Sequence, residues 1–216
     1  MKFHRFLLAS CTALFLFTGT PVPSVSTATA AETEDAAAKE AVGLVEKMGK
    51  EAVALLSRQD LDDQAKRVGF KSLIDRDFDM KLIGRFVLGK YWRKATKEQQ
   101  TEYLVLFNDY IVTTYQKRIG EYSGENLKIA KATRLNKKET LVKSEIIRPK
   151  GPAINLDWRV RISKSGEYRI IDIIVENVSM LLTHREEFSA VVSKNNGDVE
   201  GLLVKLRDHL AKINAN

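Results

Sequence analysis

Residues 168–192, YRIIDIIVENVSMLLTHREEFSAVV, join one strongly apolar strand through a short turn to one amphipathic helix. Side chains alternate along an extended chain, so Ile171, Ile173 and Val175 are expected on one face and Tyr168, Ile170 and Ile174 on the other. Both faces are apolar and both need cover. In the helical half, Leu181, Leu182, Arg185, Phe188, Val191 and Val192 recur near helical spacing, which gives a stripe able to lie back over a sheet. A wall and a lid of this kind enclose either an apolar pocket or a core.

The rest of the chain supplies helices before the strand unit and more strands beside it. Val42, Val45, Met48, Ala52 and Leu55 are spaced by three and four, which predicts a helix over 35–56. Further helices are predicted over 61–74 and 79–88, the latter ending near Gly89. Thr96-Lys97-Glu98-Gln99 has the pattern of a capping box. It opens a long helix whose stripe is Tyr103, Leu106, Phe107, Tyr110, Ile111 and Tyr115, and which should fade around 120–124. After Gly124 the apolar period changes to two. Strands are predicted over 127–134, 140–148, 154–163 and 167–175, with turns at 136–138, 149–152 and Lys164-Ser165-Gly166. The third is the clearest, with Ile154, Leu156, Trp158, Val160 and Ile162 alternating with Asn155, Asp157, Arg159 and Arg161. Two helices, over 179–194 and 198–213, close the chain. The fold class is therefore α+β, with helices packed over one face of a curved antiparallel sheet of four or slightly more strands.

The first 30 residues have the features of an export leader. Lys2 and Arg5 precede an apolar run over 6–17, and Ala28-Thr29-Ala30 makes a small-residue cleavage signal. Residues 1–30 are expected to be removed, leaving a single domain over 31–216 outside the cytoplasm. The apolar run is shorter than the roughly 20 residues needed to span a bilayer. Leu8-Ala9-Ser10-Cys11 has the outline of a lipoprotein box, but the strongest apolar residues, 14–17, follow it. Cys11 is the only cysteine, so the mature chain has no disulfide, thiol chemistry or cysteine-based metal site. The net charge of +7 becomes +5 when Lys2 and Arg5 leave. A mildly basic exported surface suits anionic lipid or an acidic protein patch, or serves solubility alone; export argues against nucleic acid as partner.

Signals of catalysis are weak. Gly84-Arg85-Phe86-Val87-Leu88-Gly89-Lys90 fits most of a phosphate-binding loop, but Tyr91 stands where Ser or Thr is needed and the stretch has helical core character. His184 and Glu187, three apart on a helix, lack a third metal ligand, so His184 is expected to be exposed or capping. Asp172 stands among four isoleucines. Buried there it needs a partner, either an arginine or a backbone amide; in an open apolar cavity it could instead act as a polar anchor or general base, as in isomerases. Tyr103, Phe107, Tyr110 and Tyr115, with Tyr91, Trp92 and Trp158, are either ordinary core or the rim of a ligand cavity that can satisfy their hydroxyls.

Several stretches in order resemble the MlaC family of toluene-tolerance-type lipid carriers: Phe86-Val87-Leu88-Gly89-Lys90-Tyr91-Trp92-Arg93-Lys94-Ala95-Thr96 leading into 103–115, Glu121-Tyr122-Ser123-Gly124, Asp172-Ile173-Ile174-Val175-Glu176-Asn177-Val178-Ser179, Arg185-Glu186-Glu187-Phe188, and Gly201-Leu202-Leu203-Val204-Lys205-Leu206. The resemblance covers most of the mature chain. It implies a soluble periplasmic carrier that shuttles phospholipid between the outer and inner membranes, with acyl chains held between sheet and helices. It implies as partners an inner-membrane MCE-domain ABC transporter and an outer-membrane lipoprotein complex. It implies no catalysis, cofactor or metal, and a monomer is expected. An HpnM-like branch of the family is associated with hopanoids, so a hopanoid is the alternative ligand; a small-ligand binder or isomerase-like enzyme using Asp172 is the alternative of another class. On the carrier reading, the cavity is expected to be lined by Phe107, Ile111, Tyr115, Trp158, Ile173, Val175 and Val178.

Overall fold

The structure, a computed structural model, describes residues 28–119 and 124–214. The predicted leader lies outside them except for its last three residues, with which the first helix begins. Among the described residues the chain forms α1 (Ala28–Leu56), α2 (Asp63–Asp77), α3 (Met80–Leu88), a 3-10 turn (Gly89–Arg93) and α4 (Lys97–Ile119). The strands β1 (Asn126–Asn136), β2 (Glu139–Ile147), β3 (Ile154–Ile162), β4 (Tyr168–Val175) and β5 (Val178–Ser179) follow, then α5 (Met180–Lys194) and α6 (Glu200–Asn214). The strands form one antiparallel meander in the order β1-β2-β3-β4-β5, so the fold is α+β as the periodicity predicts. No helix among the described residues is long and apolar enough to cross a membrane.

Local chemistry sets the boundaries. Asp62 caps α2 by accepting from the Ala65 amide, and Asp79 caps α3 by accepting from Leu82. Thr96 and Gln99 form the expected reciprocal box, at 3.2 and 3.1 Å. Helix α3 ends at Gly89, whose φ of 57° favours a residue without Cβ. The phosphate-loop lookalike is thus the end of a packed helix.

The predicted facing of β4 is corrected. Trp158 pairs with Ile173 and Val160 with Ile170, so Ile171 is an extra residue in a bulge. The bulge restores Ile170 to the same face as Ile173 and Val175, where strict alternation had put it on the other. β5 is also additional to the prediction. Glu176 and Asn177, at φ 47° and 66°, make a two-residue turn that pairs Val175 with Val178. Positive φ at both central positions is the type I′ geometry that matches strand twist.

The elements bury two apolar clusters. One lies between the sheet and the first helices: Ala41, Val45 and Met48 of α1, Phe70 and Ile74 of α2, Phe78, Val112 of α4, and Val142, Trp158, Val160 and Ile170 of the sheet. The other is helical, built from Val87, Leu88, Tyr91, Ala95, Tyr103, Phe107, Leu181, Phe188, Val192, Val199, Leu202, Leu203 and Leu206. Helix α4 serves both, and Met80 and Ile83 pack against both. Opposite the first cluster the sheet is polar, with Glu139 accepting from Arg159 at 2.7 Å.

Candidate functional site

Cross-strand partners share a face, so the register fixes which side chains point toward α1. One end of this inner face is well covered: Val142, Trp158, Val160 and Ile170 are all buried. Toward the other end, Leu127, Ile129, Ile146, Leu156, Ile173 and Val175 are only half-buried, although they share that face. Helix α1 reaches part of it, approaching so closely at Gly49 that a Cβ there would come 2.6 Å from the Leu127 side chain. The result is an apolar floor whose cover thins toward the Val175 end.

Buried aromatic hydroxyl and indole groups are satisfied within the fold. Trp158 donates its indole N–H to the Ser144 hydroxyl at 3.0 Å, and Ser144 donates to the Leu156 carbonyl. Tyr103 donates to the Gly84 carbonyl at 3.1 Å, and burial pushes its hydroxyl pKa well above the ordinary value. That tyrosine belongs to a dry interior rather than to a wet rim.

Between the two clusters, Tyr115 of α4 and His184 of α5 meet at 3.0 Å between the hydroxyl and Nε2. The other ring nitrogen of His184 lies 3.3 Å from Glu187. His184 is 7% exposed, which corrects the expectation of an exposed or capping residue. Its place three residues after Leu181 and four before Phe188 on the buried stripe was the available signal. Burial lowers its pKa from 6.5, with Glu187 opposing. The unfolded chain therefore takes up a proton first as pH falls, so stability is expected to be fully present above pH 6.5 and to decline below it. Denaturant titrations should show this decline in the natural protein and a flatter profile in His184→Gln.

Asp172 is 4% exposed. One carboxylate oxygen accepts from the Ser179 hydroxyl at 2.7 Å and the other from the Leu181 amide at 3.0 Å. The backbone amide, rather than an arginine, is the partner, and the charge lies favourably at the start of α5. Both oxygens are engaged in holding that helix on β4. Asp172→Ala would strand a half-buried hydroxyl and a buried amide, and is expected to cost about 3 kcal/mol of stability in urea unfolding. A general base would instead show its loss in turnover with stability intact.

The seven residues expected to line a cavity do not share one surface. Phe107 is fully buried in the helical cluster, stacked on Tyr103 with centroids 5.6 Å apart and edge-on to Phe188 at 5.9 Å. Ile111 packs half-buried against the same cluster. Trp158 belongs to the sheet cluster, and Tyr115 and Ile173 pack against it. Val175 is half-buried opposite Leu156 and Val178, while Val178 is 53% exposed. Helix α4 and the Tyr115–His184 contact join the two groups. Leu127, Ile129, Ile146 and Leu156 complete the thin end; the alternation of their strands placed them on one face, but only the register showed which face met the helices. Two surface depressions, of 260 Å³ by Val68 and Val112 and 390 Å³ by Lys81 and Arg85, include none of the seven. Among the described residues no group of three potential ligands could hold a metal ion.

Comparison with known proteins gives consistent results. The family described as MlaC protein matches residues 46–208. A curated relative, the intermembrane phospholipid transport system binding protein MlaC of Haemophilus influenzae (strain ATCC 51907 / DSM 11121 / KW20 / Rd), is 24% identical over 133 residues, 60% of this chain and 61% of that protein. The match thus spans less than two thirds of that relative. Among solved structures, the phospholipid-binding protein from Ralstonia solanacearum, in complex with a phospholipid, superposes with a TM-score of 0.70 at 23% identity, over 81% of this chain and 98% of that one. The likeness is one of fold.

Proposed function

This chain belongs to the MlaC family, and from that premise we propose that it is a lipid carrier of the periplasm, shuttling phospholipid between the outer and inner membranes. The observation that supports this reading most strongly is the unevenly covered inner face of the sheet. Leu127, Ile129, Ile146, Leu156, Ile173 and Val175 form an apolar floor of half-buried residues. Acyl chains laid along it, under Ile111 and Tyr115 of α4, would complete the cover. Trp158 closes the inner end, Phe107 backs the helix wall, and Val178 stands at the lip. Each buried methylene is worth about 0.8 kcal/mol, so a lipid can be held firmly without a catalytic group.

The other parts of the proposal follow the same premise. Residues 1–30 act as a cleaved export signal and 31–216 form one lipid-binding domain, monomeric between encounters. The partners are an MCE-domain ABC transporter at the inner membrane and a lipoprotein complex at the outer membrane. The protein is a carrier rather than an enzyme, and Asp172 positions α5. The curated relative's printed role in intermembrane phospholipid transport and the phospholipid bound in the structural neighbour favour phospholipid over hopanoid. Transfer of a fluorescent phospholipid from donor to acceptor vesicles tests the reading. The protein should accelerate transfer in proportion to its concentration; a rate equal to the blank would reject it.

A further inference from the structure

Residues 80–97 contain Lys81, Arg85, Lys90, Arg93, Lys94 and Lys97 and no aspartate or glutamate. All six are exposed. Several cations elsewhere are paired: Arg76 with Glu51 and Asp77, Arg159 with Glu139, Arg207 with Glu102 and Glu200. Among the described residues neither these six nor Arg185 of α5 forms an ion pair. Several lie over aromatic rings instead. Arg85 is 5.4 Å from the Trp92 centroid, Lys90 and Lys94 are 5.1 and 5.7 Å from that of Tyr91, and Arg185 is 4.6 Å from that of Phe86. These contacts gather α3, the 3-10 turn and α5 into one cationic, aromatic surface. Two large apolar side chains project from it, Phe86 at 37% exposure and Leu182 at 51%.

We infer that this surface docks the protein on an anionic lipid bilayer. Unpaired cations on long stems, set around exposed apolar side chains, can reach headgroup phosphates while Phe86 and Leu182 enter the interface. An acidic protein partner would need a matching apolar pocket for each of the two exposed side chains, whereas the bilayer interface receives them without one. Acidic neighbours are few: Asp79 is occupied in capping α3, and Glu98 and Glu186 flank the surface. The inference deepens the carrier reading and rests on it for its purpose, since a carrier must pause where its cargo is exchanged.

The test is co-sedimentation of the purified exported protein with vesicles of phosphatidylcholine alone or mixed with phosphatidylglycerol. Binding is expected only to the mixed vesicles and to disappear in high salt, because screening shortens the reach of surface charge. A lysine or arginine near an anionic surface is worth about a fivefold change in partitioning, so the variant Lys81→Glu, Arg85→Glu, Lys90→Glu should bind at least about a hundredfold more weakly. The control Lys128→Glu, Lys131→Glu, Lys137→Glu changes net charge equally on exposed positions outside the surface and should bind far more strongly than the first variant. Phe86→Ser with Leu182→Ser should also weaken binding while unfolding cooperatively. The docking surface is overturned if the natural protein ignores anionic vesicles, if both charge variants fall equally, or if the surface captures only acidic protein. Copurified lipid, measured in the same variants, separates the two readings: vesicle binding without any cargo would sink the carrier and leave the docking surface standing.

Discussion

Val175→Glu is expected to give a folded, soluble protein that has lost nearly all of its lipid. Val175 is half-buried, opposite Leu156 on β3 and Val178 on β5. Because cover is thin here, a carboxylate can reach water when no acyl chain lies against the strand, so the fold tolerates it. An acyl chain over the same site would strip that water, and desolvating an ionised group costs several kcal/mol. Each 1.4 kcal/mol is tenfold in affinity, so retention should fall by at least about a hundredfold. Lipid per chain by mass spectrometry, beside urea unfolding of the same sample, reads both quantities. If Val175 were ordinary core, cooperative unfolding would be lost instead; a folded variant with full lipid would put the chains elsewhere.

Phe107→Ala is expected to do the reverse and damage the fold first. Its ring is fully buried between Tyr103 and Phe188, and removing a buried phenyl ring leaves a cavity that costs about 3–5 kcal/mol. In protein stripped of lipid, the unfolding midpoint in urea should drop accordingly, far more than for Val175→Glu. The pair thus separates the helical cluster, which backs the wall, from the sheet end, where the proposed ligand lies. Equal losses of stability in the two variants would contradict that division.

Periodicity made most of this fold legible. The alternation of Ile154, Leu156, Trp158, Val160 and Ile162 identified β3 and its inner face, and the Thr96 box marked the start of α4. What escaped was long-range or fine-grained. The bulge at Ile171 carries no local signature, since isoleucine suits either face, and one extra residue reverses the facing of everything before it. The Glu176-Asn177 turn was marked as a turn but not as a hairpin, because its return strand is only two residues long. The burial of His184 was written in its helical spacing, yet its polarity argued against a core position until Tyr115 was placed beside it. For the same reason five of the seven residues expected around one cavity divide between two clusters, with Val175 and Val178 in neither: a stripe on α4 shows that the helix is covered all along, not which neighbour covers each turn.

Extraction of the purified protein, followed by mass spectrometry of the released lipid, tests the carrier reading most directly. A diacyl phospholipid is expected at a substantial fraction of one molecule per chain, lost in Val175→Glu and retained in Asp172→Asn. A hopanoid in its place would move the protein to the alternative ligand. Protein that releases no lipid, and takes up none from vesicles, would contradict the account.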